Sequence, residues 1–97
     1  MATWFISRHT GAIEWAKQQK LPIDHWVPHL DVDAVQSGDT VIGTLPVNLA
    51  AQVCAKGAHF VFLGMNLRAD QRGRELSPEE MAQAGCSLAE YEIMLAE

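Results

Sequence analysis

Hydrophobic and polar positions along this chain fall into short blocks whose period keeps changing. Residues 3–7, Thr-Trp-Phe-Ile-Ser, are β-branched and aromatic and predict a first strand. Residues 12–20 read as a helix, with Glu14 in the first turn and Lys17 and Lys20 in the last, the charge order that a helix dipole favours. Pro22 ends it. Residues 26–30 predict a short second strand, in which Pro28 cannot donate to a ladder and belongs at a sheet edge. Residues 31–37 suggest a brief helical turn, closed by Gly38-Asp39. Thr40-Val41-Ile42-Gly43-Thr44 is the clearest strand in the chain. A helix over 46–56 follows, with Pro46 at a first helical position where its missing N–H costs nothing. Val47, Ala50, Ala51, Val53 and Cys54 give that helix an apolar side, and Gly57 fits its C-terminal cap. Phe60-Val61-Phe62-Leu63 is a continuous apolar run, as expected of a strand covered on both faces.

Beyond this point the period is lost. Residues 64–75 read as a loop carrying Arg68, Arg72 and Arg74. Ser77-Pro78-Glu79-Glu80 has the form of a capping box, and a short helix should run from it to Gly85. Ser87-Leu88-Ala89-Glu90 offers a second box, with Leu88, Tyr91, Met94 and Leu95 as the stripe of a terminal helix. No repeat or linker divides the chain, so residues 1–97 should form one domain. Strands alternating with helices predict an α/β fold: a small, doubly wound, Rossmann-like parallel sheet of about four strands in order 2-1-3-4. Helices should cover both faces, with C-terminal helices added. In such a sheet the chain winds outward in opposite directions from strands 1 and 3. Ligands bind in the crevice between the carboxyl ends of those two strands.

Charge narrows the partner. Twelve acids against seven bases give −5 overall, with −6 in residues 75–97 and +1 in residues 1–74. A protein that coats long DNA or RNA shows a basic balance, so these arginines suit a compact anion better than a polymer. Solvated loop arginines are the plainer alternative. Cys54 and Cys86, without a CxxC or Cys/His cluster, read as reduced core thiols of a cytoplasmic protein. No apolar run approaches the ~20 residues of a membrane span, and no export signal is evident.

Two segments should line the crevice: Ser7-Arg8-His9-Thr10-Gly11 after strand 1, and Gly43-Thr44-Leu45-Pro46-Val47-Asn48 after strand 3. Each leads into a helix N-terminus, where unpaired N–H groups and the dipole attract anions. Gly11 and Gly43 would let a ligand approach the backbone. Ser7, Thr10, Thr44 and Asn48 add neutral donors, and Arg8 adds a planar fork suited to phosphate. Taken singly, these residues have ordinary structural readings: Ser7 ending a strand, His9 exposed in a turn, Gly43 easing helix–sheet packing. Neither the dinucleotide glycine fingerprint nor the phosphate loop GxxxxGK[ST] is present, which disfavours nicotinamide and ATP chemistry. His25 and His29 lie four apart in a strand region and do not converge, so no metal or other cofactor is expected. His59 reads as a residue leading into a strand. Trp4, Trp15, Trp26, Phe60 and Phe62 read as core or dimer-interface residues, with base stacking the lesser alternative.

Three blocks carry a resemblance: Thr3-Trp4-Phe5-Ile6-Ser7-Arg8-His9, the run from Gly38-Asp39-Thr40 through Gly43-Thr44-Leu45-Pro46-Val47-Asn48-Leu49-Ala50, and Arg72-Gly73-Arg74-Glu75-Leu76. Together they resemble a small CRISPR-associated ring nuclease family of type III systems, related to CARF domains. That resemblance implies degradation of a cyclic oligoadenylate second messenger, foremost cyclic tetra-adenylate, bound across a homodimer. A two-fold ring suits a two-fold dimer. It further implies metal-independent attack by a ribose 2′-OH, leaving a 2′,3′-cyclic phosphate. Arg8, His9 and Ser7 are then the candidate catalytic residues. Thr10, Gly11, Gly43, Thr44, Leu45, Pro46, Asn48, Arg72 and Arg74 are the candidate ligand-binding residues, and Glu75 could hold an arginine in place. The alternatives are a sponge that holds the messenger without cutting it, and an adaptor that docks through the acidic C-terminal residues Glu79, Glu80, Glu90, Glu92 and Glu97.

Overall fold

Asp39 ties the start of the chain to its middle. In the computed structural model, which describes residues 1–64, 79–80 and 86–96, this side chain is buried at 3% exposure. Its carboxylate accepts from Ala2 N at 2.9 Å, Trp4 Nε1 at 3.1 Å and Gln36 N at 3.0 Å. Those backbone donors first, then the indole N–H, lower its pKa from 3.8 to about 2. Strand β1 (Thr3–Ile6) is thereby laid beside β3 (Thr40–Gly43) at its first residue.

Helix α1 (Thr10–Gln18) follows β1 and leads to β2 (His25–Val27); a 3₁₀ turn (Val32–Ala34) precedes β3. Helix α2 (Val47–Ala55) joins β3 to β4 (His59–Gly64), and β5 (Ser87–Tyr91) comes last. The sheet order is β2-β1-β3-β4-β5. The first four strands are mutually parallel; β5 runs antiparallel to β4.

Period-two alternation along β1 and β3 sends neighbours to opposite faces. Phe5 and Ile42 pack with Ala12, Trp15 and Ala16 of α1. Ile6 and Val41 pack with Ala50 and Val53 of α2, joined by Phe60. Each face of the sheet therefore has its own helix and its own apolar cluster. Among the described residues no helix is long and apolar enough to cross a membrane.

Several expectations shift. The sheet has five strands, not about four, because residues 87–91 form β5 instead of the terminal helix. Cys86 and Leu88, two apart, both pack against the α1-side cluster, and Glu90 Oε2 pairs with His59 Nδ1 at 2.9 Å rather than closing a capping box. The physical reason is the edge of β4: without β5 its ladder groups would lack partners on that side. Residues 92–96 continue without regular structure. Glu79 and Glu80 are helical, but the rest of the expected 77–85 helix lies outside the described residues. Strand β2 stops before Pro28, which cannot donate to β1. Helix α1 begins two residues earlier than predicted, and Pro46 precedes α2 as its N-cap (φ −55°, ψ 145°). Gly57, at φ +83°, ends α2 as anticipated.

Candidate functional site

Ile6 and Gly43 are register partners at the carboxyl ends of β1 and β3. The chain therefore leaves both strands at one edge of the sheet, about one strand spacing (~4.8 Å) apart. From there α1 returns over one face toward β2 and α2 over the other toward β4, so this edge is the point where the winding reverses.

The β1 side is built by Ser7. Its N–H donates to Val27 O at 3.1 Å, anchoring the strand end to β2, and its Oγ accepts from His9 N at 3.1 Å, turning the chain. That bond does not use the hydroxyl's own proton. Arg8 and His9 are exposed on this turn. His9 is the N-cap of α1: its carbonyl accepts from Ile13 N at 3.1 Å while its ring makes no capping bond. Thr10 is exposed and Gly11 buried in the first helical turn.

The β3 side is more committed to the fold. A Cβ on Gly43 would lie 2.7 Å from Ile6 O, so this glycine permits the approach of β1 rather than that of a ligand. Thr44 Oγ1 donates to Leu63 O at 2.9 Å, bracing β3 against β4, and keeps only its lone pairs for a ligand. Leu45, partly buried, packs against the α2-side cluster, which commits its side chain to the fold. Pro46 has no N–H to offer, and its carbonyl accepts from Leu49 N and Ala50 N, both at 3.0 Å. Val47 and Asn48 occupy the exposed first turn of α2, a position at which helix N–H groups lack an acceptor four residues back.

Side chains of the two segments border different hollows. Ser7 and Arg8 line a depression of about 250 Å³ with residues of β2. Asn48 lines a groove of about 510 Å³ between α2 and residues 92–95. Arg72, Arg74 and Glu75 lie outside the described residues, as does Arg68. His25 packs against Trp4 with ring centroids 4.2 Å apart and the rings tilted by 34°, toward the opposite end of the sheet. Among the described residues no group of three or more His, Cys, Asp or Glu could hold a metal ion.

Residues 4–94 match the family described as "Putative CRISPR-associated protein (Cas_VVA1548)". The chain belongs to this CRISPR-associated family. Neither a curated protein nor a solved structure matches it. In this CRISPR-associated protein, sequence reasoning placed Trp26 in the core or a dimer interface ahead of base stacking, and gave Lys17 only a place at a helix end. Trp26 of β2 lines the same depression as Arg8, and Lys17 Nζ sits 5.6 Å from the centroid of its indole. The signal for it was register: a tryptophan in the strand beside β1, one residue before its end, is placed next to whatever binds at the β1 tip.

Proposed function

We propose that this CRISPR-associated protein is a ring nuclease that binds and cleaves a cyclic oligoadenylate, foremost cyclic tetra-adenylate, and so ends type III signalling. The observation that carries the reading is the pairing of Ile6 with Gly43, which brings two helix starts to one sheet edge. Helix starts of this kind favour phosphate through their N–H groups and dipoles. Arg8 is exposed just before α1, and an overall charge of −5 argues against a polymeric nucleic acid as ligand. Sequence resemblance to the ring nucleases and membership of a CRISPR-associated family agree with it.

Cleavage needs no cofactor on this reading. A ribose 2′-oxygen attacks the adjacent phosphorus in line, its proton passing to His9 Nε2 or Nδ1. The P–O5′ bond breaks, and the departing 5′-oxygen takes up a proton from water, leaving a 2′,3′-cyclic phosphate. Arg8 and the first-turn N–H groups of α1 and α2 stabilise charge on the non-bridging oxygens, while Ser7 Oγ–H orients the attacking hydroxyl. A two-fold homodimer would present the same edge twice to a two-fold ring. The test is turnover: protein at well below substrate concentration, cyclic tetra-adenylate, a chelator, and chromatography of the products. Many rings cut per protomer supports the enzyme; tight binding with the ring intact makes the protein a sponge and overturns catalysis.

A further inference from the structure

We propose that the depression between the tips of β1 and β2 is a nucleobase pocket, in which a planar base lies against Trp26 with its phosphate toward Arg8. That the base is adenine rests on the reading above; the pocket itself rests on its own geometry.

Trp26 of β2 is 37% exposed, whereas Trp15 of α1, in the apolar cluster on the same side of the sheet, is 6% exposed. It pairs in register with Phe5, and the two rings lie 5.2 Å apart at 47°. Phe5 is fixed in the α1-side core, so the indole is held from behind; Lys17 Nζ lies 5.6 Å from its centroid, and the rest of its surface faces solvent. Ile13 and Pro28 complete apolar walls, and Ser7 and Arg8 stand at one end. A hollow with flat aromatic and aliphatic walls and polar groups at one end matches a base joined to a ribose phosphate. Its volume, about 250 Å³, is below the ~300 Å³ at which pockets begin to take drug-sized ligands, so it suits one base and not two.

Charge is arranged to match. Lys17 Nζ lies over the indole and Arg8 at the rim, while Glu14 Oε1 is 4.0 Å from Lys17. A cation over an aromatic ring and a guanidinium beside it are partners for a stacked base and its phosphate. The depression lies one strand over from the β1–β3 edge, a step of ~4.8 Å. A nucleotide whose phosphate sits at that edge would bring its base to Trp26.

Titrating labelled protein with adenosine 5′-monophosphate and, separately, with ribose 5-phosphate tests the pocket directly, using the indole N–H resonances. The Trp26 resonance should shift with the nucleotide and stay in place with the base-less phosphate, and that of Trp4 should stay in place with both. Equal shifts with both ligands, or none with either, would overturn the pocket. Trp26→Ala should weaken adenosine 5′-monophosphate roughly tenfold and Trp26→Phe less than threefold, since stacking is retained; loss to the same degree in both would also count against it. Should the nucleotide bind at Trp26 while cyclic tetra-adenylate is neither bound nor cut, the pocket stands and the ring nuclease reading fails. A ring bound normally by Trp26→Ala but lost by Arg8→Ala would sink the pocket and leave the ring nuclease reading in place.

Discussion

Gly43 faces Ile6 across the β1–β3 ladder so closely that a Cβ on Gly43 would stand 2.7 Å from the Ile6 carbonyl oxygen and 3.2 Å from its Cβ. The first of these neighbours is backbone and cannot rotate away. Gly43→Ala should therefore push β1 from β3 at the edge where both candidate segments begin. A cost of about 1–3 kcal/mol is expected from overpacking, seen as a Tm lower by roughly 5–20 °C. A melting temperature within about 2 °C of wild type would show that the strands separate there at no cost.

Asp39 makes the stability of the β1–β3 pair depend on acid. Its folded-state pKa, about 2, lies below the ordinary 3.8 because three N–H donors favour the charged form. A carboxylate with a depressed pKa contributes fully above the unfolded value and loses that contribution as pH falls through the folded one. Unfolding midpoints in urea should thus decline for the wild type between about pH 4 and pH 2. In Asp39→Asn, where an amide NH₂ must face at least one N–H donor, the protein should be less stable at pH 7 and this decline flatter. Parallel curves for the two proteins would mean that Asp39 titrates alike in the folded and unfolded chain.

Arg8 and His9 are adjacent but should fail differently. If the protein cleaves the ring as proposed, Arg8→Ala removes charge stabilisation felt in both bound and transition states, so ring binding should weaken and kcat/KM fall by about a hundredfold or more. On the same proposal His9→Ala removes proton transfer alone, so kcat should drop by about 10²–10⁴ with Kd changed less than about threefold. Steady-state kinetics with a binding titration separates the two. Wild-type cleavage by both variants would remove this turn from the chemistry.

Cys86 should be a slow thiol. Desolvation against the α1-side cluster raises its pKa from 9.0 to about 11, so little thiolate exists at neutral pH. Alkylation at Cys86, followed by mass spectrometry, should accelerate about tenfold per pH unit through pH 10 without levelling. A plateau near pH 9 would mean that the thiol sees water freely.

The amino-acid sequence by itself determined the parallel part of this protein and the direction of its winding. Alternating blocks with breaks at Pro22, Pro46 and Gly57 indicate the elements to within a few residues, because proline and glycine act on the local backbone whatever surrounds them; α1 nonetheless ends at Gln18, with Lys20 turning the chain at φ 56°. Adjacent β1 and β3, with Ser7 and Gly43 at one edge, follow from those blocks and the handedness of crossovers. Only the tertiary structure decided what each residue at that edge does. Gly43 is occupied by Ile6, Thr44 by Leu63 and Leu45 by the core, none of which a spacing along the chain reveals. It also decided residues 87–91. Their Leu, Ala and Glu favour a helix locally, but Cys86 and Leu88 equally carry a period of two, and the open edge of β4 selects it. Local preferences of a few tenths of a kcal/mol per residue yield to a ladder of five paired residues and the apolar surface it covers.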